Sequence, residues 1–333
     1  MRPSPTRLGW VRTSPSVVAG VAMGAVVLAW GMGPPISKLI TAPALVTAFS
    51  RLWLSVPLLL GWMYATDRRL SWRLLRLTAP AGVLFGLNMC LVFSAFHHAS
   101  IATLSVVGAL QPGIVLLAAG PLLGERATWW HRSWTAVGVG GAVFVVLGAG
   151  SAMRTSSVGI VLSVGSMVSF TAYFLLTRIA RARATEPIDA ISWMAGVTIF
   201  SAITVTPLLL LTEPLSGFGQ IDGRDWLWLA WVIIVTGMVG HVLMAWVLRH
   251  INASKASLYL LSMNVVAVLA AWPIHNEPLT AVQILGGMVV LGAVAAVVSR
   301  PATKVVPAVS TVSDEIEGLP VSDGSAGAAH ARQ

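Results

Sequence analysis

Pro121-Leu-Leu-Gly-Glu125 and Pro273-Ile-His-Asn-Glu277 are two copies of a Pro-x-x-x-Glu pattern, 152 residues apart, each at the end of a long apolar stretch and each followed by another. The same step of 152 residues pairs Ser105 with Ser257, Ala118-Ala119 with Ala270-Ala271, and His97-His98 with Arg249-His250. The chain reads as a duplicated unit. Repeated membrane segments commonly build a binding site between two halves, so the duplication bears on mechanism as well as on fold.

With 56% hydrophobic and 10% charged residues and a mean hydropathy of +0.82, the 333-residue chain has too little polar surface for a soluble globule. Stretches of the length that crosses a hydrocarbon core, about 20 apolar residues, fall at 17–37, 44–64, 77–97, 101–123, 133–151, 158–178, 190–211, 226–248, 255–275 and 279–299. They read as helices, because lipid demands that every backbone group be paired within the segment or a closed barrel, and the two-residue alternation of barrel strands is missing. The expected fold is an all-α polytopic membrane protein with ten transmembrane helices.

The net charge of +9 is a topology signal. With a cytoplasmic amino terminus, only Lys38, Arg51, Arg154 and Arg224 of the 21 basic residues fall on the outer side, as the positive-inside rule requires. No nucleic-acid partner is expected; the lipid bilayer is. Residues 1–16 read as a cytoplasmic segment, 17–153 and 154–299 as the two repeats, and 300–333, rich in Ser, Ala, Val and acids, as a disordered cytoplasmic tail. Five helices per half is an odd number, so the second half enters the membrane from the opposite side and the repeats are inverted. Both termini are then cytoplasmic, in a bacterial inner membrane. The apolar run after the first arginines is too long for a cleaved signal, and reads as a retained first helix. Cys90 is the only cysteine, which leaves no internal disulfide or cysteine metal cluster, and no cofactor is expected.

Trp30-Gly31 in segment one, Ser50-Arg51 in segment two, Gly124-Glu125-Arg126 after segment four and Asn276-Glu277-Pro278 after segment nine, set in a five-plus-five order, give the chain its family likeness. Residues 17–299 resemble the EamA-like family of the drug/metabolite transporter superfamily. The resemblance implies a secondary carrier, usually an exporter, whose central cavity is lined by helices one, three, four, six, eight and nine, with five and ten as scaffold. One departure stands out: segment four has Gln111-Pro112, whereas the matching position of segment nine is Asn264 without a proline.

Independently of that likeness, no Asp or Glu lies in the middle of any segment, so a mid-membrane carboxylate relay is not expected. Asn88, Gln111 and Asn264 lie at mid-depth, with His241 near the centre of segment eight. Such groups need partners in lipid, and gathered at one depth they predict a substrate site; the alternative is that each only bonds neighbouring helices. Helical spacing puts Ser257, Leu260, Leu261 and Asn264 on one face, and Gly237, His241, Met244 and Leu248 on another. Trp30 and Tyr173 join the substrate-binding candidates, and Trp246 is a further deep ring.

Arg51 begins segment two on the outer side, and a buried arginine at mid-helix would cost about 2.5–3.5 kcal/mol on the insertion scale. It either snorkels to the interface, or binds an acidic group or latches a gate, and Lys38 carries the same alternatives. Glu125 and Glu277 either cap helix ends or take part in gating or coupling. Gly20-x-x-x-Gly24, Gly82-x-x-x-Gly86 and Gly120-x-x-x-Gly124 predict close helix packing.

The reading is a transporter that moves a small-molecule substrate such as an amino acid or a drug by alternating access, with protons as a candidate coupling ion through His241, the interior side chain whose ordinary pKa lies nearest neutrality. A non-transporting receptor or scaffold and an intramembrane enzyme are the alternatives. The enzyme lacks any nucleophile, base or metal motif, and the receptor would have its polar midplane filled by side chains. Monomer and dimer are both open.

Overall fold

The computed structural model describes residues 15–99, 104, 107–124, 128–147, 156–184, 186–275 and 280–299. Glu125, Glu277, Ser105, Arg154 and the segments 1–14 and 300–333 lie outside the described residues, and with them the repeat signature's glutamates and both terminal segments.

Among the described residues all regular structure is helical. The order is α1 (Pro15–Gly31), α2 (Gly33–Ser37), α3 (Ala44–Ala65), α4 (Trp72–His98), α5 (Gln111–Leu123), α6 (Trp129–Leu147), α7 (Ser157–Arg183), α8 (Ala190–Thr212), a 3-10 turn (Leu215–Gln220), α9 (Gly223–Trp231), a π-helix (Val232–Gly240), α10 (His241–His250), α11 (Ala253–His275) and α12 (Ala281–Val298). Seven of the helical stretches are long and apolar enough to cross a membrane: Val17–Ser37, Ala44–Ala65, Trp72–His98, Ser157–Arg183, Ala190–Thr212, Gly223–His250 and Ala253–His275. Val107–Leu123 and Ala281–Val297 are shorter apolar helices. The protein is an integral membrane protein.

Side-chain caps set where these helices begin. Ser71 accepts from Leu74 N, Ser156 from Gly159 N, Asp189 from Ile191 N and Ser192 N, and Thr280 forms a capping box with Gln283. Each satisfies amide groups that a helix start leaves unpaired, a need that lipid sharpens. Pro34 and Pro35 occupy the first turn of α2, where a missing N–H does no harm.

The two sequence repeats do not fold as separate bodies. Helices α3 and α4 of the first half pack on α7 and α8 of the second, α1 packs on α10 and α11, and α6 lies along α12. The α4–α8 seam is as close as helices come: a Cβ on Gly82 would stand 2.5 Å from Phe200 Cβ, and one on Gly86 2.8 Å from Ser201 O. The close packing predicted at Gly20 and Gly24 does not occur. Nothing lies within 4 Å of a Cβ placed on Gly20 or Gly24, and Gly124 instead ends α5 in the left-handed region at φ 66°, donating to Gly120 O.

The π-helix is a second departure, since the sequence periodicity predicts a continuous α-helix through segment eight. Its wider turns free backbone groups, and Thr236 O accepts a bond of 3.1 Å from Trp30 Nε1. Gly240 is required there, because a Cβ would meet Trp30 Nε1 at 2.5 Å.

Candidate functional site

A cavity of about 210 Å³ lies among α1, α2, α3, α4, α5, α7, the π-helix with α10, and α11, with Leu104 and Gly108 preceding α5. Asn88, Gln111, His241, Asn264 and Trp30 all line it, and both halves contribute. The six helices implied by the family resemblance are represented. Segment two is an addition, through Arg51.

Side chains that looked equivalent in sequence are in different states. Asn88 Nδ2 donates to Ser166 O and Ser166 Oγ, both at 2.9 Å, and so ties α4 to α7. Gln111 Nε2 and His241 Nδ1 are buried without a hydrogen-bond partner, as is Thr236 Oγ1. Unpaired buried donors and acceptors are rare, because each forgoes water without compensation. All three residues line the cavity.

Below the cavity the aromatic rings close up. The His241 ring centroid is 4.6 Å from those of both Trp30 and Phe85, and 6.1 Å from that of Tyr173. Trp30 meets Phe170 of the second repeat edge to face at 5.6 Å. Beside these rings Met23, Val26, Phe174, Met244, Leu248 and Leu260 form a packed core.

Several expectations need correction. Arg51 does not snorkel: it lies about two turns into the helix that starts at Ala44, is 6% exposed, and lines the cavity. Tyr173 is buried behind His241, with its hydroxyl 3.5 Å from Met194 Sδ, and does not line the cavity. Lys38 is exposed at the C-terminal end of α2, also away from the cavity. Trp246 stacks on His250 at 4.0 Å and has no cavity surface. Glu125 and Glu277 lie outside the described residues.

Two carboxylates that the sequence reading passed over hold one end of the bundle. Asp225, 1% exposed, accepts from Thr41 N, Thr41 Oγ1 and Ala42 N at 2.9, 3.0 and 3.1 Å. Glu213 accepts from Leu45 N at 3.0 Å, at the start of α3. At the opposite end the joints are basic: Arg68 pairs with Asp189 at 3.0 Å, Arg181 donates to Ile188 O, and Arg178 donates to Leu248 O. Asp225 lies in the first turn of α9 and Glu213 just after the last residue of α8, so acids at either end of an apolar segment were the available signal. Thr236 and the glycines beside it were harder to find, because their role comes from partners far away in sequence.

A family model described as the EamA-like transporter family matches residues 18–147 and again 157–299. A curated protein of Streptantibioticus cattleyicolor, described as a probable terminal-alkyne amino-acid exporter, is 27% identical over 177 residues, 53% of this chain and 57% of that protein. The match thus spans little more than half of the relative's length. A solved crystal structure covering 84% of this chain and 96% of its own superposes with a TM-score of 0.67 at 17% identity, a likeness of fold. The family model falls once on each half of a duplicated helical bundle and together the two matches take in most of the chain: this protein belongs to the EamA-like transporter family.

Proposed function

We propose that the protein is a secondary exporter of small metabolites of the amino-acid class, working by alternating access across ten membrane crossings arranged as two inverted five-helix repeats. The observation that carries this reading is the cavity between the repeats, with unpaired Gln111 and His241 facing it from opposite halves. Residues of both repeats line the cavity, which supports a site between two moving halves. Drug-sized ligands fill pockets of about 300–1,000 Å³; at about 210 Å³ this one favours a smaller molecule. The name of the Streptantibioticus relative supports the amino-acid class. A receptor or scaffold would have its midplane filled by side chains, and the open cavity weighs against it.

Transport of labelled amino acids by the full chain in proteoliposomes tests the reading, and the absence of any carrier-dependent flux for amino acids or other small metabolites would overturn it. Topology is tested separately. In a Cys90→Ala background, Ser157→Cys and Glu186→Cys place thiols at exposed positions on either side of α7. With both termini cytoplasmic, an impermeant maleimide added to intact cells labels position 157 and spares 186; the reverse pattern inverts the protein, and labelling of both removes the crossing.

Proton coupling is proposed through His241, the cavity side chain whose ordinary pKa, about 6.5, is nearest neutrality. His241→Gln keeps hydrogen-bonding capacity and cannot titrate. Transport driven by an imposed pH gradient is expected to fall at least tenfold in this variant while substrate exchange without a gradient persists. Retention of gradient-driven transport would remove His241 from the coupling step.

A further inference from the structure

We propose that Arg51 is the anchor for a carboxylate on the transported molecule, so that the site takes small monocarboxylates with an apolar body, amino acids included, and rejects cations. This rests on the transporter reading and names its substrate class.

The guanidinium is 6% exposed and faces the cavity from two turns inside α3. Its contacts are those of a cation without its anion. Nη1 lies 3.2 Å from the Met89 thioether, a weak acceptor, and Cζ lies 5.9 Å from the centroid of the Phe93 ring. No carboxylate lies within ion-pair distance of Arg51 among the described residues, where the ion pair present is Arg68 with Asp189. Gly237 packs beside the guanidinium: a Cβ there would make ordinary contact at 3.8 Å with Nε and 3.9 Å with Nη2. A buried charge without a partner is strongly unfavourable, and the planar fork of an arginine matches the two oxygens of a carboxylate.

The rest of the cavity fits the remainder of such a molecule. Gln111 Nε2, His241 Nδ1 and Thr236 Oγ1 are unpaired groups that can complete the shell of the carboxylate oxygens or of an adjacent polar group. Phe96, Phe170 and Met263 offer apolar surface to a side chain. Among the described residues the lining contains no Asp or Glu, so a cationic amphiphile would meet Arg51 with nothing there to offset the repulsion.

The test is thermal stabilisation of the purified full chain in lipid nanodiscs by four matched compounds: leucine, leucinamide, 4-methylpentanoate and 4-methylpentanamide. At least one acid is expected to stabilise the wild type with an affinity at least tenfold above that of its amide. Leucine against 4-methylpentanoate then decides whether the amino group is read. Arg51→Gln is expected to weaken binding of the acid at least tenfold and to abolish the preference over the amide, while Arg51→Lys keeps the preference at lower affinity. Equal response to acid and amide, silence of the wild type toward both acids, or an unchanged preference in Arg51→Gln would overturn the proposal. The wild-type comparison needs no variant to fold. Carrier-dependent flux of a neutral or cationic compound, with both acids silent, would sink the role of Arg51 and leave the transporter reading standing; no flux of any compound would sink that reading itself.

Discussion

Replacing both Gly82 and Gly86 by alanine is expected to remove most folded protein from the membrane, whereas the same double change at Gly20 and Gly24 is expected to be neutral or slightly stabilising. The two pairs are the same motif in sequence. Around the first, the new methyls would lie 2.5 Å from Phe200 Cβ and 2.8 Å from Ser201 O, a backbone atom that cannot swing aside. The seam between α4 and α8 must open, which also stretches the bond of 2.9 Å from Ser201 Oγ to Gly82 O. Overpacking of this kind costs about 1–3 kcal/mol per site, and two sites on one seam are not additive. Around Gly20 and Gly24 nothing lies within 4 Å, and alanine is the better helix former by about 1 kcal/mol. The fraction of monodisperse protein after heating, measured by fluorescence-detected size exclusion, checks both. Equal melting for the two doubles would refute the α4–α8 seam.

Gln111→Leu and Asn88→Ala are expected to fail in opposite ways. Gln111 Nε2 is buried and unpaired, so replacing it by a side chain of similar size should leave stability unchanged or raise it, up to the roughly 1–3 kcal/mol that an unsatisfied buried polar group costs. Transport should nevertheless drop at least tenfold, because the group is a partner for substrate. Asn88 makes two bonds to Ser166 across the α4–α7 contact. Its truncation leaves Ser166 without that donor, and transport should fall roughly in step with the amount of folded protein. Flux per folded carrier, read beside melting temperature, separates the two. A Gln111→Leu variant that melts lower and transports normally per folded carrier would reverse the assignment.

These contrasts locate the boundary between what was legible in the chain and what was not. The hydrocarbon core imposes a length and an apolar composition that any spanning helix must show locally, so the membrane class and the positions of the long helices follow from the residues alone. The internal repeat and the family likeness follow in the same way, since Trp30-Gly31, Ser50-Arg51 and the paired Pro-x-x-x-Glu ends are strings to be compared. The mid-depth polar groups were legible too, because in lipid Asn88, Gln111, His241 and Asn264 are exceptions to their surroundings. Sequence could not say which of them is already paired: Ser166 is 78 residues from Asn88, and no local pattern encodes their meeting. Nor could it tell the packed glycine pair from the open ones, put Arg51 in a cavity instead of at the interface, or seat Tyr173 behind His241. The π-helix was equally hidden, and the bond that its Thr236 O accepts comes from the indole of Trp30, 206 residues away. Hydropathy and helical period are properties of neighbours along the chain and determined the segments; which faces meet, and therefore which polar atoms are left without a partner, is set by contacts between the halves and was decided by the tertiary structure.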